Sequence, residues 1–111
     1  MNTHQQIRDR IKTHLADQFG LPDQQLESMI PVFIDTLRGH LAALESAVAA
    51  GGCDQIGRAA HTMKGALLNL GLAECAETAA AIEREAKAAS TRSDYRNLVA
   101  SIGAALEPLL N

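Results

Sequence analysis

The run Ala59-Ala60-His61-Thr62-Met63-Lys64-Gly65-Ala66-Leu67-Leu68-Asn69-Leu70-Gly71 decides the reading of this chain. Its periodicity is helical. At about 100° per residue, Ile56, Ala60, Met63, Leu67 and Leu70 fall on one face, and His61 lies well away from them. Gly65 follows His61 by one turn on the same side, and Gly57 precedes it by one turn. A glycine inside a helix costs roughly 1 kcal/mol relative to alanine. Two of them bracketing an outward imidazole suggest clearance: with no β-carbon at either position, another macromolecule reaches the ring closely.

Around that run the rest of the chain reads as five helices and no strands. The first spans about Thr3 to Phe19, with Ile7, Ile11, Leu15 and Phe19 spaced at fours. Thr3 is its expected cap and Gly20 its stop. The second runs from Pro22-Asp23 to about Ala50, burying Leu26, Met29, Ile30, Phe33, Leu37, Leu41, Leu44 and Val48. Pro31 removes one hydrogen bond and crowds the preceding turn, so a kink or break is expected there. Gly51-Gly52 closes this helix. Asp54 is expected to cap the third, which ends at Gly71. The fourth spans Leu72 to about Ala89, with Leu72, Cys75, Ala76, Ala79, Ile82 and Ala86 inward and Glu74, Glu77, Arg84 and Glu85 outward. Ser93 is the expected cap of the fifth, which runs from Asp94 to about Leu109 with Tyr95, Leu98, Val99, Ile102, Leu106 and Leu109 on one face.

Connections this short make neighbouring helices antiparallel. The expected fold is all-α: an up-down-up-down four-helix bundle over residues 22–110, with the helix of residues 1–20 packed on it. Composition agrees. The chain of 111 residues is 47% apolar but only 3% aromatic, and the excess is alanine and leucine. Strong helix formers with small side chains suit a bundle with close contacts. The length fits one domain, residues 1–111.

The composition also excludes functions. A net charge of −3 with no basic stripe argues against a nucleic-acid partner. No stretch approaches 18 consecutive apolar residues, so no membrane span is expected. Cys53 and Cys75 lack metal-type spacing and read as a loop thiol and a small apolar core residue, so no metal site is expected. There is no Gly-rich phosphate loop for ATP, no His-Glu-x-x-His pair and no nucleophile elbow. The chain opens Met1-Asn2-Thr3-His4 without an apolar signal core, which points to the cytoplasm. Met1 and the length favour a whole protein over a domain cut from a longer one.

What remains is His61 and its neighbours. A phosphoryl-accepting histidine has to be accessible, partly neutral near pH 7 and reachable by a partner. The unperturbed imidazole value of about 6.5 satisfies the second need. Lys64 lies about 60° round the helix and one turn on, and Arg58 lies on the other flank one turn back. Their charges would offset a phosphoryl group and attract an acidic partner site. Leu68, two turns on, is an outward leucine suited to an apolar patch on that partner. Each feature alone has a plainer reading as ordinary surface, and His4, His14 and His40 receive that reading. Their coincidence in one register carries the functional one.

The run His61-Thr62-Met63-Lys64-Gly65-Ala66-Leu67-Leu68-Asn69-Leu70-Gly71 resembles the signature of histidine-containing phosphotransfer (HPt) domains, roughly His-x-Leu-Lys-Gly-Ser-x-x-x-Leu-Gly. Met63 replaces a leucine with similar volume. Ala66 replaces a small hydroxyl residue. The resemblance extends as an apolar pattern from about Leu26 through the fourth helix, with Phe33 in the helix before the motif. The first twenty residues carry no family signal. The resemblance implies a phosphorelay intermediate of a two-component system, not an enzyme in its own right. His61 would accept a phosphoryl group from the aspartate of one response-regulator receiver domain, such as that of a hybrid histidine kinase, and pass it to another. No cofactor is implied for this chain, since the Mg²⁺ belongs to the receiver; the carrier is expected to be a monomer. The dimerisation domain of a histidine kinase fits less well, because its histidine is typically followed by an acidic residue and an Arg-x-Pro type run. A bundle that has lost phosphotransfer, or a structural bundle with a chance motif, would keep the fold without the chemistry.

Overall fold

A computed structural model describes residues 4–89 and 94–110. The elements among them are α1 (His4–Phe19), α2 (Asp23–Ala50), α3 (Cys53–Asn69), α4 (Ala73–Lys87) and α5 (Tyr95–Leu110), with no strand. Each of α2 to α5 packs on its sequence neighbour, and α5 returns to α2, so the four close into a ring. With only Gly51-Gly52 between α2 and α3 and three residues between α3 and α4, neighbours run antiparallel. The extra helix α1 lies against α2 and α5.

Helix α2 has 28 residues against 15 to 17 in the other three bundle helices. At 1.5 Å per residue it is about 42 Å long and outruns its partners. Helix α1 packs beside its N-terminal part. Ile7, Ile11 and Leu15 enter the core. Arg8 and Lys12 pair with Glu27 at 2.9 and 2.7 Å, and Lys12 also meets Asp23 at 2.6 Å. His4 Nδ1 lies 2.8 Å from the Pro108 carbonyl of α5. The ion pairs are partly solvated and set the register of α1 more than its stability.

The helix ends follow the glycines. Gly20, Gly51 and Gly71 have φ of +63°, +84° and +75°. Gly71 closes a Schellman turn: Leu72 N–H donates to the Leu67 carbonyl at 2.9 Å, and Gly71 N–H to the Leu68 carbonyl at 3.1 Å. A β-carbon on Gly71 would also lie 2.6 Å from the His14 ring, so sterics and φ demand the same residue.

Several expectations are corrected. Pro31 does not break α2, which is continuous from Asp23 to Ala50. Pro31 is exposed there, and the chain spans it because Ile30 and Leu37 on either side are anchored in the core. Asp54 is not the cap of α3. Gly52 holds that position and Asp54 lies in the first turn. Cys53 accordingly opens α3 and is not a loop thiol. Met29, Phe33 and Val48 are half-buried. Phe19 is 65% exposed. The i+4 spacing explains it: each step advances the stripe by about 40°, so Phe19 stands about 120° from Ile7 and rotates off the buried face. Thr3 and Ser93 lie outside the described residues. At the start of α5, Asp94 Oδ1 accepts the Asn97 N–H at 3.1 Å, the geometry of an N-cap.

Helix α3 packs most extensively against α4, where buried Gly57 faces buried Ala86. Small side chains let the two backbones approach. That junction carries the site.

Candidate functional site

His61 stands on the middle of α3 with its side chain 67% exposed. It is not a free surface histidine. Its Nδ1 lies 2.8 Å from Oε2 of Glu83, on α4 across that junction. Glu83 is the one buried charged residue among those described. Three side chains converge on it. Lys64 Nζ donates to Oε1 at 2.7 Å, and Lys87 Nζ meets Oε2 at 3.2 Å, beside the imidazole. The Lys64 hydrogen bond comes first among the causes that hold the Glu83 carboxyl near 2, well below its ordinary 4.5; the Lys87 and His61 bonds add to it, and burial opposes it.

That carboxylate fixes the imidazole. Ionised at neutral pH, Glu83 has only acceptors, so the Nδ1···Oε2 contact requires the proton on Nδ1. The nitrogen left open for chemistry is Nε2, on an accessible ring aimed by a buried anion that two lysines neutralise.

The other anticipated residues separate. Lys64 is at the site but is not a free cation: its side chain is 29% exposed and bound to Glu83. Arg58 is an open surface residue paired with Asp54 at 3.2 Å, on the α3 turn before His61. Gly65 is exposed, and a β-carbon there would meet nothing within 4 Å, so the space beside the imidazole is open. Leu68 is 50% exposed on the outward face.

Gly57 is a correction. It is buried, and a β-carbon on it would sit 3.4 Å from the Ala86 β-carbon of α4. Its glycine serves the helix junction, not access of a partner. The large apolar residues mark only part of the buried arc of α3. The helix has neighbours on two sides, α2 and α4, and the flank bearing Gly57 faces the second.

Glu83 and Lys87 were not anticipated, although the sequence holds a signal for them. Ala76, Ala79, Glu83 and Ala86 follow the apolar spacing of α4, which puts a carboxylate on the inner stripe. A charge there needs a partner. Glu83 and Lys87 also stand four apart in the favourable order.

Among the described residues no group of three or more His, Cys, Asp or Glu side chains is placed to hold a metal, and no helix is long and apolar enough to cross a membrane.

A family model described as Hpt domain matches residues 28–111, from the second turn of α2 to the end of the chain. The match covers most of the chain, which belongs to the Hpt domain family. Domains of this family are phosphotransfer carriers, not kinases; they serve histidine phosphotransfer in two-component phosphorelays and interact there with receiver domains. Comparisons with curated proteins and with solved structures found no match.

Proposed function

We propose that His61 is the phosphoacceptor of a phosphorelay, taking a phosphoryl group from the aspartate of one receiver domain and delivering it to another. The observation that carries this is the 2.8 Å contact between Nδ1 of an exposed imidazole and a buried, ionised carboxylate. It leaves Nε2 as the attacking atom.

In the forward step the Nε2 lone pair forms a bond to phosphorus as the aspartyl oxygen–phosphorus bond breaks, and the receiver carboxylate leaves. The Nδ1 proton stays where it is. The ring becomes a phosphoimidazolium, and its new positive charge faces Glu83. The reverse step returns the ring to neutral without moving that proton. Glu83 is thus a positioning residue that also offsets the charge of the intermediate, as a buried acid does behind a general-base histidine. Lys64 and Lys87, with Arg58 further out, give the rim a positive potential toward the phosphoryl group and the acidic pocket of a receiver. Most of the remaining demand is positioning, which the partner supplies together with its Mg²⁺. The chain itself takes no cofactor.

A monomeric carrier is in keeping with the ring that α2 to α5 close within one chain. Cys53 and Cys75 form no disulfide, in keeping with the reducing cytoplasm.

The test is incubation with a receiver domain phosphorylated by a small-molecule donor. Label should appear on this protein, be stable in base and be lost in acid. His61→Gln should abolish it with unchanged helical circular dichroism. Label retained in that variant, or found on His4, His14 or His40, removes His61 from the role.

A further inference from the structure

A second imidazole stands near His61. An open groove lies between α3, α2 and the end of α1; α2 lines it from Met29 to His40, and α3 from His61 to Asn69. The two helices run antiparallel, so the last lining residue of α2 stands at the same end as the first of α3. That end holds both His40 and His61. Among the described residues lining the groove they alone are titratable, and no lysine or arginine lines it. His40 is half-buried, and its ring has no hydrogen-bond or ion-pair partner among the described residues. The other polar side chains there are engaged or distant. The Thr36 and Thr62 hydroxyls donate to the carbonyls of Val32 and Arg58 on their own helices, at 2.9 and 3.2 Å. Asn69 lies about 12 Å along α3 from His61.

The aim of His61 gives this end a purpose. Nδ1 is turned to Glu83 on α4, and Lys64 and Lys87 bond to Glu83 on that same side. Nε2, across the ring, points away from α4. A phosphoryl group on Nε2 is therefore added on the flank that faces α2, where His40 is the side chain able to become a cation. Few charges compete for it. One turn away on its own helix are Thr36, Leu37, Ala43 and Leu44. Asp35 and Arg38 pair with each other at 2.9 Å, and Glu45 is exposed on another face. Helix α1 brings Leu15 and Phe19 to the groove, and no described residue of α5 lines it.

We propose that His40 is a counter-charge for the phosphoryl group carried by His61, binding a proton from solvent as the group arrives and returning it as the group leaves. The proposal rests on the phosphoacceptor reading of His61. Histidine suits this part because an unperturbed value of about 6.5 lets a nearby anion decide the charge. A phosphoryl group brings close to two negative charges, and their attraction favours the charged ring. By linkage, His40 stabilises the phosphorylated state fully below its unphosphorylated value, and that contribution is lost as pH rises through its value in the phosphorylated protein. The balance between phosphohistidine and the receiver's aspartyl phosphate thus leans further toward His61 in mild acid. A lysine or arginine in the same place would hold its charge on both sides of neutrality.

The intact chain would be labelled with phosphoramidate, which needs no receiver, and the His40 ring followed by ¹H–¹³C correlation spectra across neutral pH with and without the label. Its titration midpoint should rise by about half a unit or more on phosphorylation, while those of His4 and His14 move by less than about 0.2. In mixtures with a phosphorylated receiver domain, His40→Gln should hold about threefold less label than native near pH 6 and equal label near pH 8.5. His40→Lys should match native near pH 6 and exceed it near pH 8.5, roughly threefold, because its charge persists. An unmoved His40 midpoint with His61 labelled overturns this inference and leaves the phosphoacceptor reading standing. Equal label in native and His40→Gln at both pH values does the same. Native protein in which neither phosphoramidate nor a receiver labels His61 overturns both.

Discussion

Glu83 organises the site at the scale of single residues. Its carboxylate bonds at once to His61, Lys64 and Lys87, and each contact serves a different end. The imidazole contact selects the tautomer, and the lysines keep the carboxylate ionised in a buried place. Glu83→Gln removes the charge while leaving an oxygen able to accept from Nδ1. Transfer should slow by about 10- to 100-fold, the usual cost of removing a group that orients a reactive one. A rate within twofold of native would remove Glu83 from the mechanism. The same residue gives a pH signature. Its folded value is near 2 against an ordinary 4.5, so its contribution to stability is present above about 4.5 and is lost as pH falls toward 2. Urea midpoints across that window should fall more steeply for native protein than for Glu83→Gln. Lys64 acts through the same carboxylate. Lys64→Ala should slow transfer by about three- to tenfold and reduce its salt dependence, and Lys64→Arg should recover part of the loss. Native rates of Lys64→Ala at both low and high salt would make it an ordinary surface lysine.

At the scale of elements, the site lies between α3 and α4, and the glycines of α3 divide the labour. On α3, Gly57 and Gly65 are two turns apart and do opposite things. Gly57 lets α4 approach and brings Glu83 within reach of the imidazole; Gly65 leaves solvent-side room. Their substitutions should diverge. Gly65→Ala should stabilise the protein by up to about 1 kcal/mol, because helix propensity improves with nothing to strike. Gly65→Gln should slow transfer without unfolding the helix. Gly57→Val should destabilise by about 1–3 kcal/mol, since its bulk has to part α3 from α4. Equal stability effects of bulky residues at the two positions would refute this assignment. The 3.4 Å separation from Ala86 is the reason for the difference, and no pattern within α3 alone reveals it.

For the whole molecule, the question is whether α1 belongs to the folding unit. Its inward residues Ile7, Ile11 and Leu15 are almost fully buried and join the same core as the bundle. Ile11→Ala should therefore cost about 2–5 kcal/mol in a single cooperative urea transition with an unchanged slope. A loss near zero, or a separate early transition, would make α1 a detachable appendage. The ion pairs of Arg8 and Lys12 with Glu27 are too exposed to decide that result.

The periodicity of apolar residues is a local property, and it determined the five helices, the large apolar residues buried on α3 and the outward aim of His61. Gly20, Gly51 and Gly71 marked three helix ends because a left-handed backbone is a demand made on one residue. The apolar stripe of α1 was legible only as far as Leu15, since a strict spacing of four drifts round a helix with 3.6 residues per turn. Tertiary structure decided the rest. Which flank of α3 faces α4 set the burial of Gly57. The crossing of α3 and α4 turned a glutamate on an apolar stripe into the partner of the imidazole 22 positions earlier in the chain. The exposure of Phe19 became a groove wall only because α1 ends beside α2 and α3. A sequence states what each residue prefers along its own helix; the electrostatics and shape of a site arise between helices, where side chains distant in the chain share one small volume.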